Sequence, residues 1–232
     1  MPETTAAPDF PALFTAGQAR VVGIVGALDP ADLARPVPAT PGWSVRDLIA
    51  HLSGVSADAL VGDVRPESAE WTAGHIRDRS DLSVEHVVHE WLRAGPRVEE
   101  MLRTAPPLPA AMLLMDLTVH EQDLRSAVGE PPLGETQVLT LAADMLCRGL
   151  DRQLRERDLP PLHVTTPEGF TALAGRGEPG ARVRAGLLEV TRALTGRRSA
   201  AQVRAYDWTG DPEPYLPVLS LFGELRSHDL VE

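Results

Sequence analysis

The sequence predicts an α+β chain that is mostly α, with an N-terminal four-helix bundle over residues 1–158 and a small C-terminal α/β domain over residues 159–232. Two observations carry this expectation. Up to Arg157, apolar residues recur at helical spacing in one stretch after another. At Leu159-Pro160-Pro161 the long periods stop, and short β-like pieces (HVTT, FTALA, ARVRA) follow between glycines and prolines. No internal repeat is visible.

Taken in order, residues 1–8 read as a disordered leader without the basic start and long apolar core of a signal peptide. From Asp9 to Leu28, Phe10, Leu13, Phe14, Val21, Ile24, Val25 and Leu28 fall on a helical stripe, interrupted by Gly17, Gly23 and Gly26. Residues 29–42 are proline-rich and form a loop. Ser44 then caps a helix, with Asp47 completing a capping-box-like start and Trp43 and Leu48 at the two positions of a hydrophobic staple. Val45, Leu48, Ile49, Leu52 and Val55 form its apolar stripe, and His51 lies on the edge of that face. Residues 60–80 carry no sustained period. A helix from Ser83 to Thr104 follows, kinked or split at Gly95-Pro96. Its His86 and His89 sit among Glu85 and Glu90 on a charged, solvated face. The next helix ends at Gly129, and another runs from Glu135 to Arg157 with Cys147 beside its stripe. Beyond the β-like pieces come a helix at 186–194, the segment RSAAQVRAYDW, a break at Gly210-Asp211-Pro212 and a short apolar stretch, YLPVLSLF.

Composition excludes several classes of function. A net charge of −11 disfavours nucleic acid and anionic membranes as partners. All 22 basic residues are arginine, and without lysine there is neither a Schiff-base nor a P-loop lysine. A single cysteine precludes an internal disulfide and suits a cytoplasmic protein.

The chemistry-bearing stretches are PGWSVRDLIAHLSG (41–54) and AMLLMDLTVHEQDLRSAVG (111–129). Asp116 and His120 are four residues apart, so on a helix both project from one face. Such a pair serves either as a surface ion pair or as two ligands of one metal. Its apolar surroundings (Met112, Leu113, Leu114, Met115, Leu117, Val119) demand a buried face, and a buried carboxylate beside a buried imidazole needs a partner. With His51 from the other helix, the three make a metal site with room for an outside ligand. His51 alone also reads as a satisfied core histidine.

At these residues the sequence resembles the mycothiol-dependent maleylpyruvate isomerase family, which lies within the wider DinB-like helical bundles. PGWSVRDLIAHLSG resembles the family's opening signature, VHEQDLRSAVGEP its second, and RALTGRRSAAQVRAYDWTGDPEPYL the arginine-containing stretch of its C-terminal domain. The resemblance spans nearly the whole chain. It implies a DinB-like bundle with a small α/β domain, zinc held by His51, Asp116 and His120, and mycothiol as thiol cofactor. The family's usual acidic ligand is glutamate; aspartate at 116 is one methylene shorter, which calls for a backbone shift or a bridging water. The implied activity is isomerisation of, or thiol transfer to, an electrophilic and carboxylated small molecule. Arg197 and Arg198, past a helix-ending glycine, are candidate carboxylate anchors or a solvated loop pair. Asp123 and Arg125 are candidates for orienting a ligand or binding the cofactor, and Asp47 for accepting the second N–H of His51 or merely capping its helix. Two other readings stand beside this one: a metal-dependent biosynthetic enzyme that uses no thiol, and a non-catalytic ligand-binding protein. Bundles of this size occur as monomers or homodimers.

Overall fold

The computed structural model describes residues 8–66, 68–134 and 136–232. Residues 1–7 of the expected leader and the helix start at Glu135 lie outside them. Six long or medium helices come first: α1 (Phe10–Gly26), α2 (Val45–Val61), α3 (Ala69–Arg77), α4 (Val84–Thr104), α5 (Pro107–Val128) and α6 (Thr136–Glu156). Then follow β1 (Leu162–Thr165), β2 (Thr171–Ala174), β3 (Ala181–Arg184), α7 (Leu187–Leu194), α8 (Ala200–Arg204), β4 (Asp207–Thr209) and α9 (Leu216–Leu219). None of the described helices is long and apolar enough to cross a membrane.

The chain divides into two compact units. Among the described residues, the first takes those within 8–37 and 41–128, the second those within 38–40 and 129–232. In the first, α1, α2, α4 and α5 pack as a four-helix bundle, and α3 lies against α2. The division falls after Val128 instead of after residue 158. Helix α6 has the stripe its sequence shows, burying Leu139, Ala142, Leu146, Leu150 and Leu154, but this face packs on α7, β2 and α9. Periodicity reveals that a helix has a buried side; it does not reveal what covers it.

Local signals explain the bundle's helices. Ser44 and Asp47 form a full capping box at the start of α2, satisfying two of the amides that every helix start leaves over. Helix α4 is continuous through Gly95-Pro96 rather than split. Proline removes one N–H from the ladder, and here an outside donor reinforces the same turn: Gln18 Nε2 of α1 donates to the Trp91 carbonyl at 2.9 Å. A Cβ on Gly95 would stand 2.6 Å from Gln18 Oε1, so the glycine admits this side chain. Trp91 itself is buried, and its Nε1 donates to Ser56 Oγ of α2 at 2.8 Å, joining α4 to α2. The nine-residue helix α3, capped by Ser68, fills a segment that shows no period because His75 is its only buried residue.

In the second unit the sheet order is β2-β1-β3-β4, with β1 parallel to β3 and the other two pairs antiparallel. Strands β1 and β3 alternate: Leu162, Val164, Ala181 and Val183 are buried while their neighbours are not. That alternation is the period-2 pattern of a sheet covered on one face.

Candidate metal centre

Helix α2 carries His51 and helix α5 carries Asp116 and His120. Asp116 Oδ1 lies 3.6 Å from His51 Nε2 and 3.6 Å from His120 Nε2. One ligand atom from each residue falls within 4.8 Å of the other two. Around a tetrahedral zinc with bonds of about 2.0–2.1 Å, ligand atoms stand roughly 3.3 Å apart. The two carboxylate–imidazole separations come within a few tenths of an ångström of that value, so the shorter aspartate reaches both histidines without a bridging water. His51 Nε2 is buried and has no hydrogen-bond partner among the described residues, a state that a bound cation would relieve. The donor set of two imidazoles and one carboxylate suits a divalent ion and leaves a coordination position open. Exposure of the side chains, 28% for Asp116 against 4% for His51 and 10% for His120, puts that opening on the aspartate's side.

Electrostatics favour the ligand form of His51. Burial holds its pKa below the ordinary histidine value, outweighing the attraction of the Asp116 carboxylate. A neutral imidazole keeps the lone pair that a metal requires. The Trp43 ring, just before the α2 cap, stacks on His120 at 5.7 Å and tilts against His51 at 5.0 Å between centroids. It therefore walls the centre, a role beyond the staple position read in the sequence.

Each imidazole is also held from behind. His120 Nδ1 lies 3.0 Å from Asp123 Oδ2, a fully buried carboxylate. Asp123 thus orients a candidate ligand directly. His51 has a different partner from the one considered in its sequence: Asp47 is engaged with Ser44 N and Oγ at 2.9 and 2.8 Å, as a cap. Instead His51 Nδ1 lies 3.2 Å from Nδ1 of His75, on α3, whose Nε2 is 3.0 Å from Asp58 Oδ2. Sequence reasoning missed both His75 and Asp58. The available signal was Ser68, three residues before Trp71, as the cap of an unrecognised short helix.

The remaining expected residues have other contacts. Arg125 binds Glu121, which is fully buried and also takes Arg20 Nε and Nη2 at 2.8 Å each. Arg125 is thereby part of an ion-pair group within the bundle. Arg197 donates to the Thr195 carbonyl at 2.7 Å. Arg198 is buried and bidentate to Glu189, at 2.6 and 2.7 Å, with Glu232 Oε2 at 2.8 Å. Burial disfavours its charge, yet these two carboxylates raise its pKa above the ordinary arginine value. Its donors are engaged inside the second unit, which makes it a structural ion pair and not a substrate anchor or solvated loop residue. Cys147 is buried, and desolvation pushes its thiol up to about 12, so it is a core residue with no thiolate at neutral pH.

Comparison with known proteins bears on the fold. The crystal structure of the mycothiol-dependent maleylpyruvate isomerase aligns with TM-score 0.56 at 18% identity, covering 82% of this chain and 90% of that one. A histidine-to-alanine variant of the mycothiol-dependent maleylpyruvate isomerase aligns with TM-score 0.60 at 16% identity, covering 88% of this chain and 93% of that one. At such identities the likeness establishes the fold alone. No curated protein matches the sequence. Residues 14–125, which include all three converging side chains, match the family model described as the mycothiol maleylpyruvate isomerase N-terminal domain.

Proposed function

We propose that the protein is a metal-dependent enzyme that uses mycothiol to isomerise, or to add to, an electrophilic unsaturated small molecule. The convergence of His51, Asp116 and His120 within the stretch that matches this family model is the observation that supports the reading. When bound, a divalent cation such as zinc lowers the pKa of a thiol, and mycothiol supplies that thiol for reversible addition to a conjugated alkene. The chain's own residues prepare the place. His51 and His120 offer two neutral donors, and Asp116 offers one negative charge, so a divalent ion there keeps net positive charge toward an incoming anion. Asp123 fixes the His120 ring, and Trp43 excludes water from one side. This reading needs no protein nucleophile, which fits a chain whose only cysteine is buried.

Elemental analysis of purified protein, followed by turnover of an activated alkene with and without mycothiol, tests the proposal. Stoichiometric metal and dependence on added thiol are expected. Turnover undiminished without thiol would favour a metal-dependent enzyme that uses none. Failure to take up metal would leave a ligand-binding protein.

A further inference from the structure

We infer that His75 is a positioning residue for this centre: with Asp58 behind it, it fixes His51 in the tautomer whose Nε2 lone pair faces Asp116 and His120. The inference rests on the proposed metal reading, and the observations that carry it concern protons rather than metal.

A carboxylate only accepts hydrogen bonds. Asp58 Oδ2 receives the Trp71 indole N–H at 2.5 Å and faces His75 Nε2 at 3.0 Å. In the neutral form of the His75 ring, Nε2 therefore carries the proton and Nδ1 is an acceptor. The Nδ1 atoms of His75 and His51 are 3.2 Å apart, so the proton between them belongs to His51. That leaves His51 Nε2 without hydrogen, pointing toward the Asp116 carboxylate. The donor directions run one way, from His51 through His75 to Asp58, and each proton has one place. A free histidine in water prefers the opposite tautomer, with its proton on Nε2, so His51 needs this partner to be ready for a cation. Indirect support of this kind is the counterpart of the direct carboxylate that holds His120.

The fold makes room for the contact. Gly54 lies one turn beyond His51 on α2, and a Cβ there would stand 2.4 Å from both Cγ and Cδ2 of His75. The missing side chain lets the α3 histidine lie directly on α2. On its outer side the relay borders a cavity of about 470 Å³ whose lining includes Asp58, Trp71 and His75, together with Arg77, Arg79 and Glu90. Neither His51 nor Asp116 nor His120 lines it. The relay thus faces a cavity that none of the three candidate ligands lines.

The test is a long-range ¹H–¹⁵N spectrum of ¹⁵N-histidine-labelled, metal-free protein at pH 8, with His51 and His75 assigned from single-site variants. His51 protonated on Nδ1 and His75 protonated on Nε2 are expected. In His75→Phe, His51 should shift toward the Nε2–H form, and zinc affinity from competition with a chromophoric chelator should fall by about 10- to 100-fold. His75→Gln, whose amide offers one acceptor and one donor, should restore the tautomer and most of the affinity. A wild-type His51 protonated on Nε2, or a tautomer unchanged in His75→Phe, overturns the inference. The wild-type spectrum decides it even if the phenylalanine variant does not fold. Absence of zinc uptake by the wild-type protein would defeat the metal reading, and the tautomer would still be read separately.

Discussion

Gly54→Ala tests the relay without touching any of its polar groups. The added methyl would start 2.4 Å from the His75 ring, whereas carbon atoms rest about 3.5–4.0 Å apart. The ring must retreat by roughly 1.1–1.6 Å, or the two helices must separate by as much. Its far side is tied to Asp58, which Trp71 also binds, so retreat has to distort those two hydrogen bonds. A shift of about 1 Å takes the present 3.2 Å nitrogen–nitrogen contact beyond the usual hydrogen-bond limit. Two effects on stability then compete. Replacing glycine by alanine inside a helix gains about 1 kcal/mol, while overpacking a tight contact costs about 1–3 kcal/mol. The cost prevails, giving a net loss of up to about 2 kcal/mol in urea unfolding. Zinc affinity should fall about tenfold or more, equal to roughly 1.4 kcal/mol. Gly23→Ala is the control, because Gly23 is on α1 and a methyl group there would have nothing within 4 Å. It should raise stability by up to about 1 kcal/mol and leave zinc binding alone. If Gly54→Ala behaves like Gly23→Ala in both assays, the close approach of His75 is not what orders His51.

Asp116→Ala should abolish zinc uptake, since two neutral imidazoles hold a divalent ion weakly, and Asp116→Glu should retain it; dialysis against limiting zinc with elemental analysis checks both. Cys147 should resist a thiol-specific chromogenic reagent at pH 8 until the protein is unfolded. Because burial raises its folded pKa from about 9.0 to about 12, the unfolded chain loses this proton first, and stability from this group is full below about pH 9 and declines as pH rises toward 12. Urea unfolding at pH 9 and 10.5 should show a decline of up to about 1.4 kcal/mol per pH unit, and Cys147→Ala should lack that contribution. Glu121→Ala should cost about 3 kcal/mol in the same assay, because it leaves Arg20 and Arg125 without the buried carboxylate they share.

What can be read from the sequence follows from the range over which each signal acts. The start of α2 is legible because Ser44 and Asp47 are three residues apart and satisfy each other's backbone. The β-like pieces coincide with β1, β2 and β3, since alternation is also a local property. Helix α3 is not legible: with one buried residue, and that a histidine, it has no apolar stripe to detect. Nor does a periodic pattern say which unit a helix joins, so the pattern alone groups α6 with the bundle although its face belongs on the sheet.

The candidate site divides along the same line. Asp116 and His120 are bound together by one helical turn, so their pairing follows from spacing alone. His51 is separated from them by more than sixty residues, and only the resemblance joins it to them. Among the groups behind the ligands, Asp123 is within reach because it is three residues past His120 on the same helix. His75 is not, because its distance from His51 is set by how α3 lies on α2 and by the absent side chain at Gly54. Asp47 shows the opposite error. It sits one turn before His51 and is chemically able to accept its N–H, but the helix start competes for the same carboxylate and takes it. A nearby carboxylate is therefore a weaker guide to a histidine's partner than a full account of what else that carboxylate must satisfy. Applied to Arg198, the same accounting removes an attractive anchor for substrate, since Glu189 and Glu232 already occupy its guanidinium.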